Sequence, residues 1–127
     1  MRIHRVTNQE FKKEYGIRCQ RVYSDQAGDT PFGATWCLVD PLKRTTPHQH
    51  EDGETFFIID GHGLMTIGEE REEVRAGDVI FIPPNSEHCL INVSNTKQLQ
   101  FISVYWMDAA VGEQPRPSVQ TAASLVV

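Results

Sequence analysis

The chain has 127 residues, with 12 basic against 17 acidic side chains and a formal net charge of -5. This length suits one domain whose core needs no disulfides, and an acidic balance without a basic run argues against nucleic acid or a membrane surface as partner. The apolar stretches are too short to span a bilayer and the N-terminus lacks a signal peptide's apolar core. Cys19, Cys37 and Cys89 are too few and too scattered for a disulfide framework or a zinc finger, so a cytoplasmic location is expected.

Residues 1–17 read as an N-terminal arm, with a short strand at Ile3–Val6 and a helical turn around Gln9–Tyr15. Strand signals then dominate. Arg18–Tyr23 is followed by a turn-rich stretch from Asp25 to Phe32, and Ala34–Val39 is an apolar strand ending at Pro41. Thr55–Ile59 and Leu64–Ile67 flank Asp60-Gly61-His62-Gly63, which reads as a tight connection between paired strands. Glu72–Arg75 is a short polar strand, and Val79–Ile82 stops at Pro83-Pro84, which cannot donate ladder hydrogen bonds. Glu87–Val93 and Leu99–Trp106 complete the series. No long amphipathic helix interrupts it, so residues 18–107 predict an all-β sandwich or barrel. After Asp108, Gly112, Pro115 and Pro117 precede a small-residue stretch, and residues 108–127 read as a flexible tail.

His48, His50, Glu54 and His88 form a complete metal-ligand set. Residues two apart on a strand share a face, so His48 and His50 present two imidazoles together. Glu54 returns after the turn Glu51-Asp52-Gly53, and His88 arrives from a later strand. Imidazole and carboxylate suit one divalent transition metal: Fe, Mn, Ni, Co, Cu or Zn. Four protein ligands leave a position open on a five- or six-coordinate ion, as catalysis requires. Cys89 follows His88 and faces the other way on a strand, so it reads as a packing thiol, like Cys37.

The ligands sit in two punctuated segments, His48-x-His50-x3-Glu54-x6-Gly61 and Gly77-x5-Pro83-x4-His88-x3-Asn92. Their order and spacing resemble the two motifs of the RmlC-like cupin superfamily, over roughly Thr35 to Trp106. The resemblance implies a small single-domain cupin: a jelly-roll β-barrel, or double-stranded β-helix, binding one metal through His48, His50, Glu54 and His88. Two positions depart from the pattern. Leu42 stands where the first motif usually opens with glycine, and Asn85 where the second usually has glycine after its proline. Asn tolerates a left-handed conformation, so that turn can form.

Glu54 facing inward brings Phe56 and Ile58 inward, and His88 likewise brings Leu90 and Asn92. On the last strand, Phe101, Ser103 and Tyr105 share one face and Ile102, Val104 and Trp106 the other, and both are apolar enough to look into a barrel. Tyr105 is the candidate catalytic phenol. Arg18, Gln20 and Phe56 are candidate substrate contacts, with Tyr23 and Gln100 as further polar groups. Trp36, Phe81 and Ile82 read as core or dimer packing, while His62 and His4 are poor ligand candidates.

The first functional reading is a metalloenzyme acting on a small polar molecule, of dioxygenase, isomerase or lyase type. By resemblance, Phe56 argues against the sulfoniopropionate-cleaving cupins, which carry a tyrosine there, and a single repeat argues against two-domain oxalate or quercetin enzymes. The second reading is a non-catalytic small-molecule binder. The third rests on Asn92–Thr96 and Phe101–Trp106, which are similar to zinc cupins partnering methionyl-tRNA-synthetase-like proteins in nitrogen–nitrogen bond formation. A homodimer through Ile3–Val6 and the apolar sheet faces is expected.

Overall fold

Short segments of alternating polarity fold into two antiparallel sheets in the computed structural model, which describes residues 1–22 and 30–107. A 3-10 turn, Asn8–Glu10, precedes nine strands: β1 (Lys12–Glu14), β2 (Ile17–Arg21), β3 (Gly33–Val39), β4 (Gly53–Asp60), β5 (His62–Ile67), β6 (Glu70–Arg75), β7 (Val79–Ile82), β8 (His88–Asn92) and β9 (Leu99–Trp106). The larger sheet runs β1-β2-β3-β9-β4-β7 and the smaller β6-β5-β8. The chain crosses repeatedly between them, giving an all-β jelly-roll barrel. The predicted tail at 108–127, Tyr23 and most of the turn-rich stretch lie outside the described residues.

The sheets enclose one apolar core. Val39, Ile82, Leu90, Leu99 and Phe101 lose essentially all their exposed surface, and burying such a side chain contributes about 1.5–3 kcal/mol. Asn92 is buried with them, but its amide donates to the carbonyls of Val39 (2.9 Å) and Lys97 (2.8 Å), and its Oδ1 accepts from the Ser94 N–H at 3.0 Å. A buried amide so satisfied fastens the β8 end to the loop before β9.

Three expectations are corrected. Ile3–Val6 forms no strand. This arm is held by side chains instead, with His4 Nε2 2.7 Å from Gln20 Oε1 and the Gln20 amide donating to the Thr7 carbonyl at 2.9 Å. The turn expected around Gln9–Tyr15 is confined to Asn8–Glu10, because Lys12–Glu14 pairs with β2 across a two-residue turn, Tyr15-Gly16. Finally, Asp60-Gly61-His62-Gly63 does not join paired strands. β4 pairs with β7 and β9, and β5 with β6 and β8, so Gly61 (φ 91°) turns the chain from one sheet to the other.

Both glycine departures now have a backbone reading. Leu42 and Asn85 each adopt φ 63°, the left-handed conformation that the motif's usual glycines would take without steric cost. Asn85 accommodates it through its short polar side chain, and its N–H donates to the His50 carbonyl at 2.6 Å. Leu42 has no such help and leaves its side chain 67% exposed.

Candidate metal centre

His48 and His88 are brought together by the backbone. They are partners in an isolated antiparallel bridge, with N–H···O distances of 3.3 and 3.0 Å in the two directions. The segment before His48 runs beside β8 in the same way, since the Thr45 N–H donates to the Leu90 carbonyl and the Asn92 N–H to that of Lys43. His48 and His50 thus lie on an extended segment laid against β8, outside any regular strand. Glu54 is the second residue of β4, paired with Ile82 on one side and Tyr105 on the other.

The four side chains converge. The ring nitrogens of His48, His50 and His88 include one from each that lie within 4.8 Å of one another. Glu54 Oε1 is 2.9 Å from His50 Nε2 and 3.2 Å from His88 Nε2. Each imidazole also uses Nδ1 on a nearby carbonyl: His48 on Thr46 (2.8 Å), His50 on Asp52 (3.2 Å) and His88 on Ser86 (2.9 Å). A carbonyl only accepts, so each Nδ1 carries a proton and each ring turns its Nε2 toward the centre, where that of His50 lies within hydrogen-bond reach of Glu54 Oε1.

Three ring nitrogens and a carboxylate oxygen facing one point repel each other unless a cation or a proton lies between them. His88 Nε2 is the sharpest case. It is buried, it is not aligned for a hydrogen bond to Glu54 despite the short distance, and it has no hydrogen-bond partner. A buried polar atom left unsatisfied costs about 1–3 kcal/mol, which a coordinated ion removes. The donor set of imidazoles and a carboxylate fits a first-row divalent metal.

The titration of the pair carries the same tension. Burial pulls the His88 pKa down, but the Glu54 carboxylate and the Ser86 carbonyl outweigh it, leaving the imidazole above its ordinary value. Burial likewise pushes Glu54 up, and His88, Ser103 and His50 together outweigh it, so the carboxyl stays below its ordinary range. The Ser103 hydroxyl donates to Glu54 Oε2, leaving Oε1 to the imidazoles.

Beside this cluster lies a cavity of about 150 Å³. Its walls include Ile17, Phe56 and Phe101, with the thiols of Cys19 and Cys37, while Tyr15, Arg21, Thr35 and Tyr105 add polar groups. Phe56 packs on Phe101 (centroids 4.4 Å) and edge-on to His88 (6.1 Å). Tyr105 faces the cavity with its Oη 3.4 Å from Thr35 Oγ1. Gly33 makes room for it, because a Cβ there would stand 2.3 Å from Tyr105 Cε2. The inward face of β9 is therefore Phe101, Ser103 and Tyr105.

Arg18 and Gln20 are placed away from the cavity. Ile17 and Cys19 set the phase of β2 by turning inward, so the alternate residues turn out. Arg18 forms a two-pronged ion pair with Asp40, at 2.7 and 3.2 Å, which holds that carboxyl below its usual range. Gln20 is buried under the N-terminal arm. Gln100 also faces outward, accepting from Trp36 Nε1 at 3.1 Å. Arg21, next in the inward phase, takes the cavity position that the sequence reading gave to Arg18, and its guanidinium lies 3.1 Å from Glu14. Cys89 turns away from the centre, its Sγ 3.2 Å from the Thr45 carbonyl.

Tyr15 was missed by sequence. It occupies a left-handed turn position (φ 55°) and stacks on His48, with centroids 5.1 Å apart and planes 19° from parallel. Its carbonyl accepts from the Thr46 N–H at 2.7 Å, which ties the β1–β2 turn to the ligand segment. A Tyr-Gly pair between two short strands was the available signal.

Together these features make a jelly-roll barrel with three histidines able to hold a metal ion beside a small, mainly apolar cavity. The chain belongs to the cupin family: residues 35–105 match the Cupin domain. A Cupin 2 conserved barrel domain protein from Salinispora arenicola superposes with TM-score 0.77 at 29% identity, covering 87% of this chain and 91% of that one. The plu4264 protein of Photorhabdus luminescens gives TM-score 0.76 at 30% identity over 84% of this chain and 88% of its own. Among curated proteins, MJ1618 of Methanocaldococcus jannaschii is 42% identical over 59 residues, 46% of this chain and 47% of that protein. Dimethylsulfoniopropionate lyase DddW of Ruegeria pomeroyi is 35% identical over 48 residues, 38% of this chain and 32% of the lyase. The matches thus span less than half the length of these curated relatives.

Proposed function

We propose that this cupin is a metalloenzyme acting on a small polar molecule, with His48, His50, Glu54 and His88 holding one divalent transition metal. The observation that carries this reading is the set of three Nδ1–H···O=C bonds, which turns three Nε2 atoms and Glu54 Oε1 toward one point. A metal bound there supplies Lewis-acid or redox chemistry on oxygen ligands. The chain's own residues do the rest. Ser103 orients Glu54, and Phe56 and Phe101 keep the inner wall dry. Tyr105, whose phenol lines the cavity, is the candidate proton donor or acceptor, and Tyr15 closes the side over His48. Phe56 contacts substrate as an apolar surface.

Lyase chemistry like that in the name of the Ruegeria relative would need a phenol at the cavity. Phe56 does not offer one, whereas Tyr105 and Tyr15 do. Dioxygenase, isomerase and lyase reactions are separated by one panel. Tag-free protein is loaded in turn with Fe(II), Mn(II), Ni(II), Co(II), Cu(II) and Zn(II), and small oxygen-rich acids and sulfonium compounds are followed by oxygen electrode and NMR. Turnover lost in Tyr105→Phe but retained in Arg18→Ala supports the reading. Metal-loaded protein that binds these compounds without converting any of them supports a non-catalytic binder instead.

The outer face of the larger sheet favours a homodimer. Phe57 is a cross-strand partner of Val79 and Ile102, and Thr55 of Phe81 and Val104. Phe57, Val79 and Phe81 are 41%, 61% and 57% exposed, forming a continuous apolar surface of the kind that marks an interface. Sedimentation at micromolar concentration tests it, and a monomer there removes the dimer. Three free thiols favour a reducing compartment such as the cytoplasm. Among the described residues no helix is long and apolar enough to cross a membrane.

A further inference from the structure

The cavity wall carries a second reactive group besides the imidazoles. Cys19 on β2 and Cys37 on β3 are direct antiparallel partners. Both are free, both are buried, and both line the cavity. Their sulfurs are 3.8 Å apart. Directly opposed residues have Cα atoms about 4.5–5.5 Å apart, inside the span a disulfide accepts, so side-chain rotation alone can close the gap. Cys89 has no such partner, since its sulfur lies against the Thr45 carbonyl.

We propose that Cys19 and Cys37 form a cavity-gated dithiol that small hydroperoxides convert to an intramolecular disulfide. The Cys19 thiolate attacks the terminal oxygen of the hydroperoxide and the O–O bond breaks, giving Cys19 sulfenic acid and an alkoxide, or hydroxide from hydrogen peroxide, which takes up the proton Cys19 released and leaves as alcohol or water. The Cys37 sulfur then attacks the sulfenic sulfur, the S–S bond forms, and hydroxide leaves as water with the Cys37 proton. Two thiols are oxidised by two electrons and one peroxide is reduced.

The order of attack follows from the surroundings. The hydrogen bond shared with Cys37, helped by the Arg21 charge, holds the Cys19 thiol below its ordinary pKa against burial and the Glu14 carboxylate, whereas burial pushes Cys37 well up. The attacking sulfur is the one with thiolate character. Access is set by size, because a cavity of about 150 Å³ accommodates at most a molecule about as large as benzene. Oxidation then locks β2 to β3 and replaces two thiols in the cavity wall, which couples the site to peroxide.

The test uses the full chain, purified under reducing conditions and treated with hydrogen peroxide, then with iodoacetamide, intact mass measurement and peptide mapping. The expected result is loss of two hydrogens, a fall in free thiols from three to one, a Cys19–Cys37 cross-linked peptide, and full reversal by dithiothreitol once the protein is unfolded in urea. Cumene hydroperoxide, too bulky for the cavity, should react on the order of 10-fold more slowly. Cys37→Ser should stop at a Cys19 sulfenic acid, read by intact mass as the gain of one oxygen, and Cys19→Ser should give no cross-link. A bridge through Cys89, irreversible oxidation of Cys19 without a bridge, no thiol loss, or equal rates with both peroxides overturns the proposal. The mapping on unmutated protein decides it even if a variant fails to fold.

Discussion

Ser103→Ala removes one hydroxyl, and the structure says what that hydroxyl does. Glu54 divides its two oxygens, Oε1 toward His50 and His88 and Oε2 toward the Ser103 O–H. Both side chains are buried, so water does not readily replace the lost donor. A hydrogen bond to a charged group contributes about 1.5–3 kcal/mol, and residues that orient a metal ligand typically change affinity by about 10–100-fold. At about 1.4 kcal/mol per decade the two figures agree. Zn(II) affinity in Ser103→Ala, measured by competition with a chromogenic chelator on tag-free protein, should therefore fall by about 10–100-fold. Ser103→Thr, which keeps the hydroxyl, should retain more affinity. An alanine variant within about twofold of the parent would mean that Glu54 is oriented by something else, or is not a ligand.

The Leu42 substitution runs toward stability. A left-handed non-glycine costs about 1–2 kcal/mol and glycine's extra chain entropy about 0.5–1, so Leu42→Gly should gain up to about 1.5 kcal/mol and raise the Tm by a few degrees. A lower Tm in calorimetry would contradict this. Gly33→Ala places a Cβ 2.3 Å from Tyr105 Cε2 and should destabilise by about 1–3 kcal/mol. Adding Tyr105→Ala should recover part of that loss in denaturant titration, and strictly additive effects would argue against the contact. In metal-free protein, the raised His88 pKa gives stability that is complete below the ordinary imidazole value and is lost as pH rises through the folded value. Zn(II) competes with that proton, so its affinity should climb over the same interval. Urea titrations in chelator showing stability rising there would contradict the assignment.

The fold and the convergence of His48, His50, Glu54 and His88 were legible because strand alternation and the glycine–proline punctuation are local signals. Which strands pair is not local. The link at Gly61 reads as a hairpin until β4 is seen to pair with β7 and β9. The phase of β2 was also hidden. Arg18 and Gln20 alternate as plausibly as Cys19 and Arg21, and only burial of Ile17 and Cys19 against the core decides between them. On β9 both faces are apolar, because one lines the cavity and the other is the exposed sheet face, so alternation alone could not orient Tyr105. Tyr15 reaches His48 through an unusual backbone angle, which propensity does not forecast.

Elemental analysis of the protein purified without a histidine tag reads out whether His48, His50, Glu54 and His88 hold a metal. We expect close to one divalent transition metal per chain, with His50→Ala, Glu54→Ala and His88→Ala each reducing the content severely while the far-UV spectrum stays that of the β-barrel. Native protein that remains metal-free after incubation with Fe(II), Mn(II), Ni(II) and Zn(II) would contradict it.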